Sequence, residues 1–175
     1  TVAERDELLQ KLKEAPEYVL NVIFGDGTIY NSYPDYLCFS TAVNTACYLR
    51  LPSAKDKAED VIRLFKPILE DQNKVLISND VKDDIIWLRR AGVEILNKIF
   101  DVKIAHYVLQ PDSSHELERV ALEMLNYRLI KGDNTENPQL SLFPDEGAKK
   151  DKDFAERTDI LFRLKEKLEE ALQED

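Results

Sequence analysis

The chain has few cysteines and no long apolar run, and both shortages exclude classes of protein. Its two cysteines, Cys38 and Cys47, are too few for a disulfide framework. Neither has a second Cys or a His at the spacing of a zinc site, so both are predicted to be free thiols. No stretch reaches the roughly 18–20 consecutive apolar residues of a membrane span, and the polar start is unlike a signal peptide. We therefore expect a soluble, cytoplasmic protein without a membrane partner.

Positive charge is also scarce. Lys and Arg number 24 against 34 Asp and Glu, which gives a formal net charge of −10. Proteins that grip phosphates usually carry a basic patch or stripe, so autonomous nucleic-acid binding is disfavoured. An acidic active site that holds metal ions is still compatible with this charge. The chain starts at Thr1 and its only methionine is Met124, so we expect it to be part of a longer protein.

The length of 175 residues and a hydrophobic content of 43% predict one domain, 1–175, with a full core. Apolar spacing and turn residues predict helices over 3–15, 53–70, 81–91, 102–109, 116–127 and 153–173, strands over 18–24, 36–42, 45–51 and 75–77, and an extended piece at 93–96. The alternation of strand and helix is typical of an α/β domain. Gly, Asn and Pro residues between 131 and 149 predict a long exposed loop.

One acidic residue lies on the core side of a predicted helix. Asp84 falls on the apolar stripe formed by Val81, Ile85 and Leu88. A carboxylate in that position needs a reason, because burying a charge is costly. Either the first turn of the helix favours an anion at the edge of the sheet, or Asp84 is a metal ligand there.

Three segments carry a family resemblance. They are EAPEYVLNVIF (14–24), KVLISNDVKDDIIWLRRAGVEI (74–95) and FDVKIAHYVLQPDSSHELERVALEMLNYRLI (100–130). In the same order and over nearly the whole chain, they resemble the 3′→5′ exonuclease domain of bacterial DNA polymerase I, a family A polymerase. The resemblance implies a ribonuclease H-like α/β fold, with a mixed central sheet of about five strands and helices on both faces.

The resemblance also implies a two-metal site, in which four carboxylates hold two hard cations such as Mg²⁺ or Mn²⁺. Carried over position by position, the carboxylates of the first motif fall on Asn21 and Ile23. The aspartate of the second motif falls on Asp84, which is retained, and that of the third falls on Thr158. Only one of the four positions therefore keeps its acid.

Other residues bear on that site. Phe154 stands where the third motif has a tyrosine, and a shift of one residue would bring Asp159 near the site. Asp101 matches an auxiliary acidic position and is a second, weak candidate metal ligand. Asp26 and Asp35, near the first strand, are acids that could substitute for the missing ligands.

A histidine can act as a general base or bind a metal ion, so the two histidines bear on the chemistry as well. His106 and His115 lie nine residues apart across a proline-containing break, and we expect no pairing between them. His115 is predicted to contribute to the start of the helix at 116–127. Trp87 lies next to the apolar stripe and is predicted to be a packing residue.

One or two acids cannot position two divalent ions, so we expect no active catalytic residue and no cofactor. The resemblance then implies a structural scaffold, monomeric, whose partners are the polymerase domain of the same parent chain and, through the parent enzyme, DNA. The competing hypothesis is an active exonuclease that uses Mg²⁺ or Mn²⁺, which requires three or more carboxylates to converge near Asp84. A third hypothesis is an acidic module that binds a protein partner through 131–149.

Overall fold

The computed structural model describes residues 2–24, 33–130 and 146–174, with the backbone alone for 146–152. Its elements, in chain order, are α1 (Val2–Glu14), β1 (Glu17–Phe24), β2 (Pro34–Ser40), β3 (Cys47–Arg50), α2 (Lys55–Arg63), α3 (Lys66–Leu69), β4 (Val75–Ser78), α4 (Lys82–Arg90), β5 (Lys98–Asp101), α5 (Val102–Leu109), α6 (Leu117–Leu125) and α7 (Glu146–Glu174). Strand and helix alternate over most of this length, as predicted for an α/β domain.

The five strands form one mixed sheet in the order β3-β2-β1-β4-β5. The pairs β1–β2 and β2–β3 are antiparallel, whereas β1–β4 and β4–β5 are parallel. Because parallel strands point the same way, β1, β4 and β5 end at one edge of the sheet. We call this the carboxyl edge, and it places Phe24, Ser78 and Asp101 on the same side of the molecule.

Two hydrophobic clusters lie on opposite faces of the sheet. Along β1, Tyr18, Leu20 and Val22 pack against α1 to α4, whereas Val19 packs with α5 to α7. This alternation follows from the two-residue period of a strand. The predicted mixed sheet of about five strands with helices on both faces is therefore confirmed.

Two predicted segments, 53–70 and 93–96, have a different secondary structure from the one predicted. The helix predicted over 53–70 is two helices, because Pro67 in the first turn of α3 has no N–H to continue α2. The extended piece predicted at 93–96 precedes β5, which begins at Lys98, where pairing with Val75 of β4 becomes possible. Val93 and Ile95 give this piece its apolar pattern because both pack against the core from a loop.

The loop predicted over 131–149 is wrong at its end, because α7 begins at Glu146. Once packing has fixed the later turns of α7, each added residue extends the helix at little cost, which carries it back through Gly147. Residues 131–145 lie outside the described residues. Cys38 and Cys47 are free thiols, as predicted. None of the helices in the described part of the chain is long and apolar enough to cross a membrane.

Candidate functional site

The first motif positions lie at the end of β1, on the face that α7 covers. Asn21 and Ile23 alternate with Val22 and share the side of Val19, which packs with residues of α7. In the register with β2, Asn21 pairs with Cys38 and Ile23 with Tyr36. Both positions therefore lie on the sheet face that α7 covers, and the side chains there are an amide and a branched alkyl group.

The third motif positions lie on α7, opposite β2. Thr158 is 0% exposed, and its hydroxyl donates to the carbonyl oxygen of Phe154 at 2.7 Å. The Phe154 ring lies with its centroid 5.6 Å from that of Tyr36, the cross-strand partner of Ile23. The structure thus packs Phe154 of α7 against Tyr36, the residue beside Ile23 in the sheet. Sequence reasoning missed Tyr36, because only the β1–β2 register shows that it faces α7.

Asp84 is the retained carboxylate, and it is buried. Its side chain is 8% exposed and accepts a hydrogen bond from the backbone N–H of Val22. Burial, and then the charges of Asp83, Asp101 and Asp80, raise its pKa well above the usual value. Because Val22 lies between Asn21 and Ile23, Asp84 lies next to these two positions.

Asp101 is present but fully engaged with backbone groups. Its Oδ1 caps α5 by accepting N–H groups of Lys103 (2.9 Å) and Ile104 (3.2 Å). Its Oδ2 accepts the N–H of Val81, just before α4, at 2.8 Å. A buried carboxylate with three such partners joins the starts of two helices at the carboxyl edge. Asp101 therefore acts as a helix cap.

The other candidate acids lie away from Asp84 and the first motif positions, or outside the described residues. Asp159 accepts the backbone N–H of Asn44 at 2.5 Å and so holds the connection between β2 and β3. Asp35 is exposed and alternates with Tyr36 along β2, on the opposite face of the sheet. Asp26 lies outside the described residues. Within the described ranges, no three His, Cys, Asp or Glu side chains are grouped to hold a metal ion.

A two-metal centre does not fit the residues that the structure describes. Hard divalent cations need several oxygen ligands, which are mostly carboxylates. At the motif positions, only Asp84 supplies a carboxylate. Thr158 uses its hydroxyl hydrogen within α7, and Asp101 uses both oxygens on backbone N–H groups.

The expectation that nothing pairs the two histidines is wrong. His106 Nδ1 and His115 Nδ1 lie 2.8 Å apart, because the break after α5 turns the chain back and brings α6 beside it. His106 is fully buried, and its Nε2 lies 3.2 Å from Oε2 of Glu123 on α6. The contacts of His106 with His115 and Glu123 therefore hold α5 against α6. Trp87 is a buried packing residue, as predicted.

The chain is similar to known proteins both in sequence and in structure. The chain is 30% identical over 87 residues to DNA polymerase I of Pseudomonas aeruginosa, which is 48% of this chain and 9% of that protein. The chain thus spans less than a tenth of this curated relative. Brucella melitensis NrnC with bound Mg²⁺ has a TM-score of 0.72 at 19% identity, over 93% of this chain and 76% of that one. Trypanosoma brucei RNase D has a TM-score of 0.73 at 14% identity, over 96% and 62%.

The structural likeness shows a ribonuclease H-like α/β fold, which the sequence resemblance predicted. A family model described as a 3′-5′ exonuclease matches residues 3–173. That match contains all five strands, both hydrophobic clusters and the motif positions from Asn21 to Thr158. The chain therefore belongs to the 3′-5′ exonuclease family.

Proposed function

We propose that this chain is an exonuclease-like domain of a DNA polymerase I type enzyme that has no nuclease activity of its own and acts as a structural scaffold. The observation that carries the proposal is the packing around the first and third motif positions. There, Ile23 pairs with Tyr36, whose ring meets Phe154, and Thr158 is buried in the same helix. Side chains of this kind stabilise a sheet–helix interface and supply no carboxylate to a cation.

The chemistry of phosphodiester cleavage supports the loss of activity. Two-metal hydrolysis needs acids that hold two cations roughly 3.5–4 Å apart and a group that orients the attacking water. Asp84 is one acid of the four, and Phe154 has no hydroxyl for the orienting role. Rate acceleration of this type depends on several ligands acting as a unit, so one surviving member contributes little.

The scaffold role is supported by the two hydrophobic clusters. Residues on both faces of the sheet are buried, among them Leu20 and Leu76 on one side and Leu164 and Leu168 on the other. A complete core means that the fold does not depend on bound metal for its stability. With a net charge of −10, the domain is poorly suited to hold DNA alone. We place DNA contact in the polymerase part of the parent chain.

An active exonuclease is the second candidate, and the acids of the carboxyl edge favour it. Asp84 has a raised pKa beside Asp80, Asp83 and Asp101, and strongly shifted carboxylates cluster at functional sites. Asp26 lies outside the described residues and is one further acid near β1. A structural relative, NrnC, is described with bound Mg²⁺.

Two measurements on the same preparation separate these candidates. The first is digestion of a single-stranded DNA oligonucleotide with a labelled 5′ end, in Mg²⁺ and in Mn²⁺. The second is calorimetric titration of each cation into the chain. Asp84→Asn removes the retained acid, and Asp83→Asn is the matched control, because Asp83 is an exposed acid on the same turn of α4.

The scaffold proposal expects no shortening from the 3′ end and no saturable cation binding in the unmodified chain, the D84N variant or the D83N variant. Trimming that D84N abolishes and D83N retains would establish the active exonuclease instead. Trimming that survives in D84N at an equal rate would identify a contaminating nuclease, and the preparation would then be repurified before the proposal is judged.

A further inference from the structure

Two histidines and a glutamate form a connected group that the motif positions do not use. His106 on α5 is fully buried, and its two ring nitrogens face different partners. Its Nδ1 lies 2.8 Å from Nδ1 of His115, and its Nε2 lies 3.2 Å from Oε2 of Glu123. The chain has only two histidines, so this group contains every imidazole of the protein. We call these three residues the histidine cluster.

The distance between the two Nδ1 atoms limits the charge that the histidine cluster can carry. At 2.8 Å, one nitrogen must carry the hydrogen and the other must accept it with a lone pair. In a protonated imidazole, both ring nitrogens carry hydrogens. If His106 and His115 were both protonated, two N–H groups would point at each other and two positive charges would lie side by side. The contact is therefore compatible with at most one charged imidazole.

Glu123 decides which nitrogen of His106 carries the hydrogen. Its carboxylate pairs with Arg119 at 2.5 Å and accepts a hydrogen bond from the Ser113 hydroxyl at 3.2 Å. Desolvation opposes ionisation, but these bonds and the charges of Arg119 and His106 lower the pKa of Glu123 below its ordinary value. An anion opposite Nε2 favours the hydrogen on that nitrogen. The Nδ1 of neutral His106 is then the acceptor for the N–H of half-buried His115.

The elements around the histidine cluster carry further charged or titratable groups. These are Asp101 of β5, Lys103 and Tyr107 of α5, Asp112 and Glu116 of the connection to α6, and Arg157 of α7. Asp101 accepts N–H groups of α5, and Lys103 pairs with Asp80. Arg157 pairs with Glu118. Tyr107 contacts His115 edge-on, with ring centroids 5.3 Å apart.

The histidine cluster lies beside the start of α6, which covers apolar side chains. Leu117, Val120 and Ala121 of α6 are buried in the hydrophobic cluster that also contains Ala105 of α5. Beyond the other end of α6, the hydroxyl of Tyr127 donates to Glu156 on α7 at 2.7 Å. Separation of the two histidines would therefore loosen the start of α6 and expose apolar surface there, while its far end stays attached to α7.

We propose that the histidine cluster is a pH-sensitive switch, which holds α6 against α5 while the two imidazoles carry at most one positive charge and releases it when both are protonated. The stability that this contact provides is present above the pH of the second protonation, and it is lost as the pH falls through that step. The proposal does not depend on nuclease activity or on a parent polymerase, because none of the three residues is a motif position.

Proton NMR of the intact 175-residue chain tests the first part of the proposal. Because the chain has only two histidines, every imidazole C–H signal belongs to the histidine cluster. We expect these signals to titrate in two steps that are at least about one pH unit apart, since the first proton opposes the second. Two imidazoles that titrate together in one step would overturn the proposal.

Hydrogen exchange tests whether the second step releases α6. After correction for the intrinsic effect of pH, exchange of the amides in Leu117–Leu125 should rise at least about tenfold across that step. The amides of Val75–Ser78 in β4 should remain protected, because the opening is local. His115→Asn keeps an amide N–H donor for His106 without a titratable ring, so its exchange should change by less than about twofold over the same pH range.

Asp112→Asn is the matched control, because it removes an exposed titratable group from the same connection and should leave both steps unchanged. Acid-induced exchange of α6 that persists in the His115→Asn variant would overturn the proposal. A simultaneous rise in α6 and β4 would also overturn it, since the acid would then unfold the whole domain. If the His115→Asn variant does not fold, the NMR titration and the comparison of α6 with β4 in the unmodified chain decide the matter.

Discussion

The carboxyl edge of the sheet has two regions with opposite chemistry. Where β1 meets α7, the motif positions are neutral, Phe154 packs against Tyr36 and Thr158 is fully buried. Where β4 and β5 end, two acids remain, Asp84 and Asp101, and their oxygens accept backbone N–H groups. The difference teaches that the acids still present at this edge have a folding role as well as a place in the family motif.

The largest effect is expected when a carboxylate is put back at the neutral region. Thr158→Asp should lower the free energy of unfolding by about 3 kcal/mol or more, because an unpaired charge is forced into a site with 0% exposure. Urea unfolding at neutral pH measures the change. Thr158→Val, which keeps the volume and removes the hydroxyl, is the matched control and should cost about 1 kcal/mol.

If Thr158→Asp were no more destabilising than Thr158→Val, the neutral region would tolerate a carboxylate, and the contrast between the two regions would be broken. Repeating the measurement with Mg²⁺ sharpens the result. A recovery of stability in Mg²⁺ that is specific to the Asp variant would show that this region can still be converted to a cation site.

The next effect concerns the acid that caps two helices. Asp101→Ala should lower the free energy of unfolding by about 2–3 kcal/mol, because the Val81, Lys103 and Ile104 N–H groups lose their acceptor. Thermal and urea unfolding both report this loss. Asp83→Ala removes an exposed acid from the neighbouring helix and should stay within about 0.5 kcal/mol. Equal effects of the two changes would refute the structural role of Asp101.

Asp84→Asn should increase stability at neutral pH, because burial and the nearby acids disfavour the charged form of Asp84 in the folded state. The pKa of Asp84 is raised from 3.8, so the folded state binds this proton more tightly than the unfolded state does. Stability is therefore lost as the pH rises from about 4 towards the raised pKa. Urea unfolding across pH 4–8 should show this decline in the unmodified chain and a flatter profile in the variant.

A lower stability of D84N at pH 7 would mean that the folded protein favours the ionised carboxylate. Asp84 would then be held as an anion by its surroundings, as a metal ligand is, and the two regions would differ less than the structure indicates. Asp83→Asn tests the contribution of charge, because Asp83 helps to raise the pKa of Asp84 and its removal should make the decline with pH smaller.

The smallest effect is expected for Phe154→Tyr, which restores the phenol of the third motif. Its side chain is half-buried at the Tyr36 contact, so the added hydroxyl should change the free energy of unfolding by less than about 0.5 kcal/mol. The oligonucleotide assay should remain negative, because one group restored without its carboxylate partners adds little. Measurable trimming by this variant would show that the phenol was the one missing part.

The sequence predicts some elements of the structure more accurately than others. The bounds of α5 agree with the predicted 102–109, because its apolar periodicity is local and the carboxylate of Asp101 caps its start. The break between α2 and α3 was missed, although Pro67 was a signal for it. The start of β5 could not be read from the apolar residues at 93–96, since pairing with β4 fixes it.

The candidate site shows the same division. The sequence predicted that Asp84 lies on the core side of its helix, and the structure places it there, against Val22. It gave no sign that Asp101 joins two helices or that His106 meets His115. Those contacts join residues 20 and nine positions apart, and their geometry depends on how helices pack, which residue spacing alone does not contain.

By itself, the sequence determined the α/β class, the family resemblance and the identity of the side chains at the motif positions, since these depend on local periodicity and on residue type. The tertiary structure alone decided what those side chains do. Strand register set Tyr36 opposite Ile23, and packing placed Phe154 of α7 against Tyr36. Burial and nearby acids then raised the pKa of Asp84. Each of these effects is a sum over neighbours that are distant in the chain, so it exists only once the chain has folded.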